Sequence, residues 1–478
     1  MNLWKISSKI KSQVAVIEDK RNSKTEYTYS QLAQFISKFG QINFDEMPRR
    51  LGFIYCKNNM ATLISYLAAL NKKQVICLLD STINEVLNEK LIKLYEPDWI
   101  WAPDDLIINN FQNSYNELGY CFRLNMKKKR LARSFSPELA VLLPTSGTTG
   151  SPKMVRLSYQ NLQANAESIS TYLNILSSHR AITTLPLQYS YGLSIINSHL
   201  IKGASLVLTE KSVVKKQFWD LFNRYKVTSF AGVPFTYEIL NKIGFLEKDY
   251  SSLQMMTQAG GRLDTNLKKK FQKALSAKNI DFFVMYGQTE ATARISYVPP
   301  NQLSEKIDSI GIPIPNGKLD IDSETSELIY TGPNVMLGYA ESWQDLIKED
   351  ELKGNLKTGD LAICDEDGFY YIVGRKKRFI KLFGLRINLD DIERFIESNF
   401  KITVYSVGND EKVAIVGNAI KDADAIKNLI SKTYKIPIKV VQVLNIDGEI
   451  PRLSNGKVDY NQLWEKVQAN QSNLEGSS

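Results

Sequence analysis

The sequence predicts an α/β protein: a large N-terminal domain of mixed and parallel sheets flanked by helices, with a small antiparallel module, followed by a small mobile α+β domain. Three observations predict this. Apolar runs of strand length alternate with helix-patterned stretches from residue 29 to 290, which implies strand–helix–strand units and a parallel sheet with right-handed crossovers. The 478 residues are too many for one ordinary core. At residue 374 the texture changes to a basic segment. The expected boundaries are 1–373 for the large domain and 374–478 for the small one, with a hinge at 374–378.

After a polar turn, Tyr29-Ser-Gln-Leu-Ala-Gln-Phe-Ile36 starts a helix. Leu51-Gly-Phe-Ile-Tyr-Cys56 and Gln74-Val-Ile-Cys-Leu-Leu79 read as buried strands, with a helix over 60–70 between them. Helix 158–175 leads to strand 181–186, helix 215–225 to strand Thr228-Ser-Phe-Ala231, and helix 264–277 to strand Asp281-Phe-Phe-Val-Met285. Strands dominate after 305, at 318–322, 327–331, 359–364 and 369–373, which predicts the antiparallel module. The small domain reads as helix 389–399, strands 403–408 and 412–418, helix 422–434 and strand 438–444. The polar tail after Trp464 is expected to fray.

Composition excludes several classes. Apolar content of 43% and charged content of 23% are those of a soluble globular protein. No stretch reaches the about 18 uninterrupted apolar residues of a membrane span, and the start lacks a signal-peptide apolar core, so a cytoplasmic protein without a membrane span is expected. Cys56, Cys77, Cys121 and Cys364 form no Cys-x-x-Cys pair, which argues against a disulfide framework or a zinc site. His179 and His199 lie in no catalytic pattern, so a Ser-His-Asp hydrolase is not expected. The net charge of +9 gathers at residues 127–130 and 374–386, the latter with six Lys/Arg and no acid. No nucleic-acid motif accompanies either cluster, and phosphates of a small ligand suit them as well.

The most informative stretch is residues 145–153, Thr-Ser-Gly-Thr-Thr-Gly-Ser-Pro-Lys, fed by the apolar run Leu139-Ala-Val-Leu-Leu143 and followed by a helix pattern near Ser158. Such a loop between strand and helix can aim many N–H and O–H donors at one polyphosphate. Gly147 and Gly150 allow close backbone approach, and Lys153 adds a full charge. It is not a Walker A loop, because Ser151 and Pro152 separate the second glycine from the lysine. The order Ser-Gly-Thr-Thr-Gly-x-Pro-Lys resembles the phosphate loop of the adenylate-forming superfamily: acyl-CoA synthetases, adenylation domains of peptide synthetases, and luciferases.

Five further segments match that superfamily in order, so the resemblance spans residues 145–457. Ala259-Gly-Gly-Arg-Leu263 resembles the glycine-rich turn beside the adenine, which implicates Gly260 and Gly261. Tyr286-Gly-Gln-Thr-Glu290 follows a strand. The resemblance implies that Tyr286, with Gly287, stacks on adenine, Thr289 contacts the α-phosphate and Glu290 holds Mg²⁺, types that suit a base, an oxyanion and a hard cation. Thr358-Gly-Asp360 resembles the ribose-binding aspartate, whose carboxylate accepts from both hydroxyls. The stretch Gly374-Arg-Lys-Lys-Arg-Phe-Ile-Lys-Leu-Phe-Gly-Leu-Arg-Ile387 resembles the hinge and the loop after it. By resemblance Arg375 touches the ribose, Lys377 sits at the pivot, and Gly384 lines the thiol tunnel. Pro451-Arg-Leu-Ser-Asn-Gly-Lys457 resembles the C-terminal catalytic lysine motif, with Lys457 presented from an Asn-Gly turn.

The resemblance implies an AMP-forming acid–thiol ligase. A carboxylate attacks the α-phosphorus of ATP and pyrophosphate leaves; a thiol then takes the acyl group. Lys457 would bridge carboxylate and α-phosphate, with Thr289 and Glu290 as catalytic partners. Thr145, Ser146, Thr148, Thr149 and Lys153 would hold the pyrophosphate. Tyr189 takes the position where many acyl-CoA synthetases carry a Pro-Leu-x-His histidine. Gly192 falls where amino-acid adenylation domains place an aspartate against the substrate amine, and a buried ammonium would lack its partner here. Gly232, Val233 and Pro234 resemble an acyl-pocket segment, whereas Asn455-Gly-Lys-Val-Asp459 is closer to peptide synthetases. The expected ligands are ATP, Mg²⁺, a carboxylic acid, and CoA or the phosphopantetheine of a separate carrier protein. The alternatives are an amino-acid activating enzyme that loads a carrier protein and, of another class, a non-catalytic nucleotide-binding regulator.

Overall fold

Polar caps start the helices. Thr28 and Gln31 form a reciprocal capping box at the head of helix Tyr29–Phe44. Asn59 accepts from Thr62 N–H at the head of Met60–Asn71, and Ser158 with Asn161 does the same for Tyr159–Tyr172. The computed structural model that carries these elements describes residues 3–4, 12–20, 23–126, 134–144, 153–376, 378–382, 385–446, 448–453 and 456–475. Contacts group the chain into two units. Met1–Ile307, Gly311–Lys318 and Tyr330–Leu356 make the first; Asp308–Ile310, Leu319–Ile329 and Lys357–Ser478 make the second.

The first unit contains two large sheets. The nine-stranded sheet runs in the order Ile312–Pro313, Ser296–Val298, Asp281–Tyr286, Met255–Gln258, Ser229–Gly232, Arg180–Ile182, Ser205–Leu208, Val14–Lys20, Ser23–Thr28. Its centre is parallel and its edges antiparallel. The eight-stranded sheet runs Gly338–Ala340, Met154–Ser158, Leu139–Pro144, Val75–Asp80, Leu51–Cys56, Trp99–Pro103, Tyr120–Asn125, Phe111–Glu117, again parallel at the centre. Helices Met60–Asn71 and Ser190–Ile201 are buried along nearly their whole length, the pattern of helices apolar all round. They join a core in which Val16 and Leu206 of one sheet share a cluster with Ile54 and Ile76 of the other. Tyr66 bonds Asn197 at 3.2 Å between these two helices.

Most of a four-stranded sheet, in the order Lys318–Ile321, Glu327–Thr331, Asn355–Cys364 and Tyr370–Arg375, falls in the second unit at the place of the expected antiparallel module, and its last two strands pair antiparallel. The second unit also holds a three-stranded sheet, Tyr405–Gly408, Val413–Gly417 and Val441–Asn445, with helices Leu389–Phe400, Ala423–Tyr434 and Tyr460–Glu475. The proposed hinge at 374–378 lies inside this unit.

One expectation needs correction, and two elements extend the reading. The glycine-rich stretch does not run from strand into helix. Met154–Ser158 is a strand antiparallel to Leu139–Pro144, pairing Pro144 with Met154, and only then does helix Tyr159–Tyr172 begin. The stretch therefore lies between two paired strands. Past Trp464 the chain continues as helix Tyr460–Glu475, in which Leu463 and Val467 are buried. A further antiparallel pair, Phe379–Leu382 with Leu385–Asn388, occupies the basic segment, where Ile380 and Leu382 alternate inward.

Candidate active site

Three of the predicted segments leave the sheet at one place. Strands Ser229–Gly232, Met255–Gln258 and Asp281–Tyr286 are parallel neighbours whose ends are in register, Gly232 beside Gln258 and Gln258 beside Val284. Residues 232–234, 260–261 and 286–290 therefore emerge together at the carboxyl ends of adjacent strands. That edge is where open α/β sheets bind ligands. Strand Arg180–Ile182 is the next parallel neighbour, and Tyr189 lies beyond its end. Gly260 has φ 85°, and a Cβ there would lie 2.7 Å from the Tyr189 hydroxyl. Only glycine both adopts that angle and admits the ring.

Thr289 and Glu290 occupy a single 3-10 turn, Thr289–Ala291, and both are half-buried. The Thr289 hydroxyl lies 3.2 Å from Ser190 Oγ. Glu290 Oε1 accepts from the Tyr339 hydroxyl at 2.8 Å. Burial first, and then the Glu290 charge, push the Tyr339 phenol well above its usual value, so it stays a donor. Lys153 Nζ stands 3.6 Å over the centre of the same ring. One tyrosine thus ties the lysine that ends the glycine-rich stretch to the glutamate of the Tyr-Gly-Gln-Thr-Glu turn. Arg156 braces this tyrosine's strand: fully buried, it donates to the carbonyls of Tyr339 and Leu337, both at 3.1 Å, and pairs with Glu351. Residues 145–150, which include Thr145, Ser146, Gly147, Thr148, Thr149 and Gly150, lie outside the described residues, as do Lys377 and Gly384.

Directly after Glu290 the chain reverses. Thr292 has φ 62° and ψ −53°, the centre of a γ-turn closed by Ala293 N–H to Ala291 O at 2.6 Å. A β-branched residue is strained there. Its hydroxyl bonds Asn334 O at 2.7 Å, and Asn334 Nδ2 donates to the carbonyls of Ala291 and Arg294, both at 2.8 Å. The reversal brings Arg294 into an internal cavity lined also by Tyr191, Thr257, Met285, Ile195 and His199. Arg294 is 3% exposed, and its guanidinium lies 3.9 Å over the Tyr191 ring. Burial raises the Tyr189 phenol to about 12, although the Arg294 charge pulls it down.

Gly192 meets this region from behind. A Cβ on it would stand 2.1 Å from Pro186 O, so no side chain, an aspartate included, fits the position as built. Gly232 and Val233 are buried, and Pro234 starts helix Pro234–Lys242.

His199 in the cavity wall is held at both ring nitrogens, by Ile195 O at 2.8 Å and Ser229 Oγ at 3.0 Å. Burial lowers its pKa to about 4. A histidine depressed on folding stabilises fully above its unfolded value of about 6.5, and that contribution is lost as pH falls toward 4. The shift corresponds to roughly 3 kcal/mol. Urea unfolding at pH 7.5 and pH 5 is expected to show a larger acid loss in wild type than in His199→Gln; equal losses would refute the assignment.

In the second unit, Asp360 and Arg375 are paired across strands Asn355–Cys364 and Tyr370–Arg375. Asp360 Oδ1 lies 3.0 Å from Arg375 Nε, with the carboxylate 6% exposed as a residue and the guanidinium largely in solvent. Lys457 closes a tight loop: Leu453 N–H donates to Lys457 O at 2.8 Å, Gly456 N–H to Leu453 O at 2.8 Å, and Arg452 bridges Val458. Sequence reasoning missed Tyr339, Ser190, Thr292 and Arg294. Only the last left a signal, a lone cation inside the otherwise uncharged run from Ala291 to Val298.

Against known proteins, the family model described as AMP-binding enzyme matches residues 8–340, well over half of the chain. The chain belongs to the AMP-binding enzyme family. Among curated members it is 29% identical over 373 residues to a long-chain-fatty-acid–CoA ligase of Yersinia pestis, covering 70% of this chain and 64% of that one. A Bacillus subtilis ligase of the same name is 28% identical, covering 70% and 62%. The match thus spans less than two thirds of those relatives' own length. Among solved structures, o-succinylbenzoate CoA synthetase from Bacillus subtilis, in complex with its acyl-adenylate intermediate, superposes with a TM-score of 0.76 over 97% of both chains at 21% identity. That likeness establishes the family's α/β fold for this chain. Among the described residues no helix is long and apolar enough to cross a membrane, and no three His, Cys, Asp or Glu gather around a metal position.

Proposed function

We propose that the chain activates a carboxylic acid with ATP and passes the acyl group to a thiol. The observation that carries the reading is the junction of Lys153, Tyr339 and Glu290 beside Thr289, at the carboxyl ends of three parallel strands. A cation, a hydroxyl and a carboxylate converge where a phosphate chain and its metal need them. In the first step a carboxylate oxygen bonds to the α-phosphorus while the bond to the β-phosphate bridge breaks, giving acyl-AMP and pyrophosphate. A carboxylate is already a nucleophile at neutral pH, so positioning and charge stabilisation suffice. Tyr286 takes the base, Thr289 donates to the α-phosphate, Asp360 accepts from the ribose with Arg375 beside it, and Lys153 faces the departing pyrophosphate. Lys457 supplies the charge at the reacting carboxylate. In the second step a thiol attacks the acyl carbon, AMP leaves, and the thiol proton passes to solvent.

The half-buried Glu290 carboxylate fits Mg²⁺, which takes one or two protein carboxylates along with phosphate oxygens. Bound there, the ion would neutralise charge on the leaving pyrophosphate. Tyr339 holds the carboxylate in place for it. Tyr339→Phe keeps the ring under Lys153 but removes the hydrogen bond to a charged acceptor, a loss of roughly 1.5–3 kcal/mol. Pyrophosphate exchange is expected to need about tenfold more Mg²⁺ or more; an unchanged Mg²⁺ dependence would remove this role.

CoA as acceptor is supported by the names of curated relatives such as the long-chain-fatty-acid–CoA ligases and a 4-coumarate–CoA ligase-like protein. An α-amino acid is disfavoured twice, by the absence of room for an acid at Gly192 and by the buried Arg294 cation. The small domain's swing about 374–378 between the two steps remains part of this proposal. The test is hydroxylamine trapping of acyl-adenylate across a panel of carboxylic acids with ATP and Mg²⁺. Hydroxamate from at least one acid supports the reading. ATP binding with no hydroxamate from any acid would favour a regulator.

A further inference from the structure

We propose that Arg294 makes the acid pocket selective for substrates that carry a second carboxylate. This rests on the acid-activating reading above and names its substrate class.

A guanidinium has five N–H donors and cannot shed its charge, so a buried one needs acceptors. Arg294 has few. Nε donates to the Met285 thioether at 3.4 Å, and one terminal nitrogen reaches its neighbour's carbonyl, Ala293 O, at 3.3 Å. The Tyr172 hydroxyl, itself donating to Met285 Sδ at 3.0 Å, also feels the charge and takes a hydrogen bond from the guanidinium, and the Tyr191 ring covers one face. Among the described residues no carboxylate lies within ion-pair distance of it. The other arginines held inside the protein are better supplied: buried Arg123 reaches Asn113 Oδ1 and the carbonyls of Leu106, Pro103 and Asp104. Arg156 has Glu351 and several carbonyls, and Arg378 has Asp390 and Glu393.

The cation also faces space. Arg294 lines the cavity together with Tyr191, Ser194, Met285 and Thr257. That cavity adjoins the proposed reacting centre, because Ser190, next to Tyr191 in the chain, touches the Thr289 hydroxyl. An acid whose first carboxylate reacts near Thr289 can direct its other end toward Tyr191 and Arg294. The planar guanidinium offers a carboxylate two parallel donors, which neutral or cationic tails cannot use. The strained turn at Thr292 fits this role, since it sends the chain inward and its geometry is fixed by the Asn334 hydrogen bonds. The burial of the cation is already complete in the folded protein, so a second carboxylate restores its missing partner.

The experiment compares matched acids in the hydroxylamine assay: linear dicarboxylic acids of four to eight carbons, their half-methyl esters, and monocarboxylic acids of equal length. Wild type is expected to favour at least one dicarboxylic acid over its half-ester by about 100-fold or more in kcat/KM, because an unmatched buried donor set rejects analogues strongly. Arg294→Leu should reduce that preference to within about threefold while keeping or gaining activity on monocarboxylic acids; Arg294→Lys should retain part of it. A wild type that prefers half-esters or monocarboxylic acids overturns the inference and leaves the acid-activating function standing. Should no acid be activated, that function falls. The inference is then decided by thermal shift: dicarboxylates without ATP must stabilise wild type more than their half-esters do, and equal shifts overturn it.

Discussion

Lys457→Ala is expected to lower acyl-adenylate formation by about 10²–10³-fold, the scale of losing one preorganised group at developing charge. Transfer of the acyl group from supplied acyl-AMP to the thiol should change by less than about threefold. The asymmetry follows from the chemistry. Negative charge gathers between carboxylate and α-phosphate only in the first step, and the second begins from an adenylate already made. The variant should fold, because the main-chain hydrogen bonds from Leu453 N–H to Lys457 O and from Gly456 N–H to Leu453 O survive the substitution. Pyrophosphate exchange reads the first half and thioester formation from acyl-AMP the second. Equal failure of both halves in a folded variant would take the lysine out of the mechanism.

The larger pattern of this chain was legible because local signals and tertiary structure agree. The strands at 51–56, 75–80 and 281–286 and the helices between them stand where apolar periodicity places them, and the segments proposed to meet adenine follow parallel strands at their carboxyl ends. Asp360 and Arg375 were each legible as residues, yet their pairing is a matter of strand register, which no local spacing encodes. Strand Met154–Ser158 went unread because five residues between a glycine-rich stretch and a capped helix carry too little periodicity. The pair Phe379–Leu382 and Leu385–Asn388 was masked by its basic neighbours, although Ile380 and Leu382 alternate as a strand requires. Tyr339 was illegible for a different reason. Its role comes from contacts with Lys153 and Glu290, both distant in sequence, and nothing around it marks it as more than a strand tyrosine.

Arg378→Ala is expected to destabilise the second unit by about 3–5 kcal/mol, the cost of leaving a buried carboxylate without its cation. Arg378 is mostly buried between helix Leu389–Phe400 and strand Tyr405–Gly408. It pairs with Asp390 and, at 2.9 Å, with Glu393, donates to Ser406 O at 2.6 Å, and lies 3.8 Å over the Tyr460 ring. Burial opposes its charge most strongly, yet Glu393, Tyr460 and Asp390 together hold the guanidinium above its usual value. For Glu393 burial prevails and lifts the carboxyl, with Arg378 pulling it part of the way back. Removing the arginine therefore strands Glu393, which also receives Ser406 N–H at 2.7 Å. The double variant Arg378→Met/Glu393→Leu should recover most of the loss, because apolar replacement of a buried pair is often neutral. Limited proteolysis and thermal unfolding of the second unit measure both variants. The same residue ends the proposed hinge at 374–378, and its four attachments fix that end of the segment within its own unit. A single-variant loss below about 1 kcal/mol would mean that water reaches Glu393 and that the hinge has no such anchor.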